Sequence, residues 1–370
     1  MDKVNFRQLI CLTFLIAIAM KMFMLPVLMM RVSGRDSFIS LIIMLAIDFV
    51  FLFVVCVVLH LSEDKNIFEL LSSAFGSVAA KIILITVGLF YFIKLFMILI
   101  DVRVFFSTSV FSSTMSPVHL IPLVLLMAYF AFKPLCTAGR ISEIITPIVV
   151  VSMLLLCCMT LPEVDFSYLF PLGQEGVEKI ATSCYSFALW FGDFSILLAF
   201  TGKTAKTGKK AYFALIPALV GFVFLVVFST TLFASYGDMT EVLTYGHNIS
   251  NMTQYGAGSF KFGSINTVIY TMWLSAVLLS AGLMTTFMSH TMTYVFGYKC
   301  GKLLTLAGLT GIFVLSLIFA ELNRVIEVMT ACFWLPSIIV QYSLPIIAVA
   351  AIAVNKFKEN KAYDKTEQKA

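Results

Sequence analysis

The chain is poor in charge: Asp, Glu, Lys and Arg make up only 12% of its 370 residues, while 60% are hydrophobic and the mean hydropathy is +1.00. A soluble domain carries roughly a quarter charged residues, so the composition excludes one and points to an integral membrane protein. Histidine is scarce as well. His60, His119, His247 and His290 are scattered without ligand spacing, and no metal site is expected. No nucleophile, paired acid or metal cluster supports catalysis, so the chain does not read as an enzyme and no cofactor is implied. The stretch Gly202-Lys203-Thr204 lacks the glycine that a phosphate loop needs five positions earlier, where Leu197 stands. Of eight cysteines, Cys11, Cys56, Cys157, Cys158, Cys184 and Cys332 fall inside apolar runs and read as small packing residues rather than a disulfide framework.

What remains is long apolar runs. On the ruler of roughly 20 residues per crossing, about ten spans are expected. They are Phe6 to Met30, Phe38 to Leu61, Val78 to Phe106, Pro117 to Leu135, Ile144 to Leu161, Val177 to Phe200, Tyr212 to Ala234, Ser264 to Phe296, Leu303 to Ala320 and Val325 to Val354. The first is too long for the apolar core of a signal peptide and is expected to be retained. With the N-terminus inside, the inner segments collect Lys3, Arg7, Lys65, Lys81, Lys133, Arg140, Lys203, Lys206, Lys209, Lys210, Lys299, Lys302 and the lysines of the tail at 355–370. The outer loops carry only Arg31, Arg35, Lys179, Lys261 and Arg324. This bias predicts cytoplasmic termini, and the net charge of +5 then reports topology rather than a nucleic-acid partner. Asn248-Ile249-Ser250 and Asn251-Met252-Thr253 match the glycosylation pattern, a chance match in a polar loop.

The spans divide five and five, residues 6–162 and 177–354, within one membrane domain. In each half the third span is longest, as for a tilted helix, and follows the longest loop of its half. Those loops face opposite sides, the pattern of an inverted-topology repeat. The expected fold is therefore an all-α polytopic protein of two inverted five-helix repeats. In transporters of that architecture the first helix of each repeat is broken near the midplane, where freed backbone groups bind a ligand. The corresponding stretches are Ala17-Ile18-Ala19-Met20-Lys21-Met22, with Pro26 beyond, and Trp190-Phe191-Gly192-Asp193-Phe194-Ser195.

Charged side chains inside these spans are Lys21, Asp48, Lys94, Asp101, Arg103 and Asp193. Hydrocarbon tolerates such groups only when they pair or line a wet cavity. Lys21 lies midway through its span and needs a carboxylate; Asp193 or Asp48 can supply it, and pseudo-symmetry favours Asp193. Lys94 and Asp101, seven residues apart, share a helix face. Arg103, near its helix end, is expected to snorkel outward. Ala19, Met20, Lys21, Trp190, Gly192 and Asp193 are the candidate ligand-binding residues, and Lys21, Asp48, Lys94, Asp101 and Asp193 the candidate charge network. A structural ion pair that locks two helices is the competing reading.

Leu25-Pro26 followed by Ser33-Gly34-Arg35-Asp36-Ser37-Phe38-Ile39-Ser40 resembles the opening of the Ger-type spore germination permeases, the B subunits of nutrient germinant receptors. Gly139-Arg140 with Glu143 and Pro147, then Asp165-Phe166, Leu169, Pro171 and Gly176, are similar to later family patterns, as are Gly192-Asp193 and Trp273. The similarity runs from about Asn5 to Asn355 and lies in order and spacing rather than in one motif. The resemblance implies an amino-acid/polyamine/organocation (LeuT-like) fold, a small-molecule germinant, the inner spore membrane, and two partners: a larger A-type membrane subunit and a C-type lipoprotein. Met20-Lys21-Met22 stand where amino-acid permeases tend to carry small residues, and Ile265-Asn266-Thr267 lack the charges the family often has before its Trp. A stand-alone secondary transporter for an amino acid or amine is the alternative.

Overall fold

The computed structural model describes residues 4–22, 24–62, 65–106, 120–160, 164–204, 208–236, 265–319 and 322–367. The described elements are helical throughout: α1 (Phe6–Ile18), α2 (Met24–Ser33), α3 (Ser37–Leu61), α4 (Ile67–Phe75), α5 (Ser77–Phe105), α6 (Ile121–Phe132), α7 (Leu135–Thr160), α8 (Val177–Ser186), α9 (Leu215–Tyr236), α10 (Ile265–Phe296), α11 (Tyr298–Ile318) and α12 (Leu322–Glu367). Tight 3-10 turns, Ala188–Trp190 and Asp193–Phe200, follow α8.

Seven helical stretches among the described residues are long and apolar enough to cross a membrane, and eight if α8 with its 3-10 continuation counts as one bent span. The stretch Met24–Leu61 is one of the seven, while α1 and α6 are apolar but shorter. The protein is thus an all-helical polytopic membrane protein. The long third helices expected from the sequence are α5, of 29 residues, and α10, of 32. They pack on one another near the middle of the bundle.

Two boundaries differ from the sequence reading. Gly139 to Glu143, read as a loop, lies inside α7, which starts one tight turn after α6 at Lys133 and Pro134. Basic and acidic residues there suggested solvent, but Ser142 and Gly139 pack against Gln8 of α1. The tail expected after Val354 continues α12 to Glu367, because Asn355 bonds the Leu70 carbonyl inside α4 and the three-donor ammonium of Lys358 bonds the C-terminal carbonyls of Ser73 and Ala74. The lysine satisfies groups that a helix end otherwise leaves open. The glycosylation-type matches lie outside the described residues.

At the α1 end of the bundle, the Val4 N–H donates to the Lys203 carbonyl at 2.9 Å, so the chain start and the segment after Phe200 share one face. At the other end Asp36, fully buried, accepts the N–H groups of Gly173 and Glu175 at 2.8 and 3.0 Å. That carboxylate fastens the segment preceding α8 onto the turn between α2 and α3.

Candidate functional site

The first expected break is present: α1 stops at Ile18 and α2 begins at Met24. The N–H groups of Lys21 and Met22 both return to the Ile18 carbonyl, closing a tight turn. Pro26 explains the restart. Its ring excludes a continuous helix through the preceding turn, whereas in the first turn of a new helix its missing N–H costs nothing. The Ala19 carbonyl, in the turn that follows α1, accepts the indole N–H of Trp273 from α10 at 3.1 Å.

The second break bends the chain by 50° between α8 and the 3-10 continuation. Within that continuation, between its two tight turns, Gly192 sits in the left-handed region at φ 76°, and a side chain would meet Gln341 of α12. Glycine is required on both counts. Its N–H donates to Asp48 Oδ1 at 2.8 Å.

The two breaks bring four charges together. Lys21 Nζ lies 3.4 Å from Asp48 Oδ2 and 3.5 Å from Asp193 Oδ2, so it answers to both carboxylates. The closer partner of Asp193 is Lys94 of α5, which also donates to the Phe191 carbonyl at 2.8 Å and to Gln341 Oε1 at 2.9 Å. Pseudo-symmetry favoured Asp193 over Asp48 as the partner of Lys21, whereas the two carboxylates lie at nearly equal distance from it. Lys94 reaches Asp193 more directly, because α5 projects it straight at the second break. Asp48 also accepts the Tyr342 hydroxyl at 2.9 Å. Tyr91 donates to Ser195 at 2.9 Å, and Ser195 donates to the Gly192 carbonyl.

All four charges are at most 2% exposed, and they sum to zero. Removing one partner from such a buried pair typically costs about 3–5 kcal/mol, because the other charge is stranded. Lys21 is bound loosely by comparison. Its ammonium completes no hydrogen bond and sits 5.4 and 5.7 Å from the ring centres of Phe191 and Phe194. Asp48 Oδ2, Asp193 Oδ2 and Gln341 Nε2 are also without hydrogen-bond partners. Polar atoms left in this condition at a helix break are suited to receive a small polar molecule.

Of the sequence candidates, Lys21, Asp48, Lys94, Gly192 and Asp193 converge, and Ala19 and Met20 form the turn beside them. Asp101 stands apart, with Trp190 as the polar side chain that bears on its carboxylate. Arg103, half-buried near its helix end, donates to the Ser316 and Phe319 carbonyls and so caps α11. Gln341, Tyr342, Tyr91 and Ser195 were not singled out. An amide inside the apolar run of α12 is the signal that could have found Gln341. Two apolar grooves lie outside the quartet, about 500 Å³ between α3 and α9 and about 530 Å³ between α3, α8 and α12, the latter reaching Tyr342.

No curated protein matches the chain. A family model described as spore germination protein matches residues 3–325, which include both breaks and all four charges but stop before Gln341 and Tyr342. With that match over most of its length, the chain belongs to the spore permease family of spore germination proteins.

Proposed function

We propose that the protein is the ligand-sensing, permease-like B subunit of a nutrient germinant receptor, binding a small molecule such as an amino acid near the middle of the membrane. Lys21 and Asp193 are its polar anchors, and Ala19, Met20, Trp190 and Gly192 surround the ligand. The single observation that carries this reading is the convergence of both broken helices on a buried ion quartet whose polar atoms are incompletely bonded. The long helices α5 and α10 and the paired breaks support two inverted five-helix repeats in a LeuT-like arrangement of ten spans. The basic residues gathered with the chain start support cytoplasmic termini, and the family supports the inner spore membrane. A larger A-type membrane subunit and a C-type lipoprotein are the partners of this reading.

A ligand that binds one arrangement of the breaks more tightly than another shifts their balance, and that shift is the signal. Lys21 is the part of the quartet held least firmly, so a ligand carboxylate competes for it. Spores carrying Lys21→Met are expected to lose the nutrient response at unchanged protein abundance. Loss of abundance instead returns Lys21 to a purely structural pair. Saturable uptake of labelled amino acid by the protein alone in vesicles assigns it to stand-alone transport.

A further inference from the structure

Tyr342 faces two ways. Its hydroxyl donates to Asp48 Oδ1 at 2.9 Å inside the bundle, while its ring lies 4.3 Å from that of Phe51, centre to centre. Both rings line the groove of about 530 Å³ between α3, α8 and α12, together with Ile47, Ala181, Cys184 and Ile338. Ile47 and Ala181 are exposed, so the groove opens on the lateral surface of the bundle. Asp48 in turn accepts the Gly192 N–H and pairs with Lys21, which makes Tyr342 a link from that surface to both breaks.

What fills the groove follows from its chemistry and size. The polar side chains that line it are already bonded: the Tyr342 hydroxyl to Asp48, the Tyr185 hydroxyl to Thr182 at 3.5 Å and the Cys184 thiol to the Ser40 carbonyl at 3.6 Å. Water gains nothing there, and an apolar hollow of this kind stays dry and takes apolar guests. The groove runs from Val177, the first residue of α8, to Tyr342 beside the breaks. Residues 177–185 rise about 12 Å, close to the roughly 15 Å that one leaflet contributes to the hydrocarbon core. Over that length 530 Å³ corresponds to a cross-section of about 45 Å², roughly half that of a helix with its side chains. The helix of a partner or of a second copy is too wide, whereas one or two hydrocarbon chains fit. Ile43 and Ile339 beside it are exposed on membrane-spanning helices, so the groove is continuous with the lipid-facing surface.

We propose that the groove between α3, α8 and α12 binds an acyl chain of a membrane phospholipid, which supports the Tyr342 ring that holds Asp48. The end of the chain meets the Phe51 and Tyr342 rings, so lipid contact at the edge of the bundle bears on the carboxylate shared by both breaks. The groove between α3 and α9 is of similar size, but no side chain that lines it bonds the quartet.

Photolabelling of the purified full chain tests this, in phosphatidylcholine nanodiscs doped with phosphatidylcholine that carries a diazirine near the end of one acyl chain. Peptide mass spectrometry is expected to find the label on Phe51 or Tyr342; the latter is only 7% exposed and is reached from the groove. Ala181→Trp fills the groove from its exposed wall and is expected to lower that labelling severalfold, leaving Phe222 of the α3/α9 groove labelled as before. Should this variant fail to accumulate, Ile47→Trp serves in its place. Adding phosphatidylcholine to the detergent-solubilised protein is expected to raise its unfolding temperature, and to raise that of the tryptophan variant less. No label on Phe51 or Tyr342, or equal labelling with the groove filled, overturns the acyl-chain site. An equal rise in both proteins overturns the support of Tyr342. Loss of the site with the Lys21 requirement intact leaves the sensor. Labelling without a Lys21 requirement removes the sensor and leaves the groove.

Discussion

Gly192 donates its backbone N–H to Asp48 Oδ1 at 2.8 Å, which ties the 3-10 continuation of α8 to the middle of α3. The bond exists because Gly192 adopts a left-handed conformation that turns its amide toward the carboxylate. Gly192→Ala adds about 1–2 kcal/mol of backbone strain and drives a methyl group into Gln341. Membrane abundance of this variant, measured by immunoblot, is expected to fall well below that of the unaltered protein.

Trp273 acts on the first break by the same logic. Its N–H donates to the Ala19 carbonyl in the turn that follows α1. Trp273→Phe keeps the ring and strands the carbonyl in an apolar interior, a loss of about 1–3 kcal/mol. Thermal unfolding of the purified variant is expected several degrees lower, while Trp334→Phe leaves the transition where it was.

Asp36 makes a test at the opposite end from the chain start. Itself fully buried, it holds the N–H groups of Gly173 and Glu175 by charge-assisted bonds. Asp36→Ala is expected to free the segment preceding α8, so that limited proteolysis cuts within residues 164–176 faster than in the unaltered protein. Equal cutting rates contradict the role assigned to this carboxylate.

Much of this arrangement was legible in the sequence, for reasons of solvent. Charge is so costly in hydrocarbon that Lys21, Asp48, Lys94 and Asp193 announced themselves, and apolar run length located α3, α5 and α10. Gly192 marked the second break because its conformation admits little else. The pairing was not legible. Lys94 reaches Asp193 through the packing of α5 against the second break, a contact between residues 99 positions apart that one-dimensional spacing does not encode. Nor was the role of Gln341 visible. The polar residue alone gives no direction, and only the tertiary fold aims its amide at Lys94 and Gly192. The partners of Arg103 were not visible either, because the carbonyls of α11 that it caps lie 213 and 216 positions away in the chain.

The central claim is that the ammonium of Lys94 and the carboxylate of Asp193 belong to one buried network joining α5 to the second break. A double-mutant cycle measures this directly, using thermal stability of purified Lys94→Met, Asp193→Asn and the double variant. Each single change strands a buried charge and is expected to cost about 3–5 kcal/mol. The double variant is expected to cost much less than their sum, giving a coupling of at least about 1 kcal/mol. Additive losses, with no coupling between the two positions, would contradict the account.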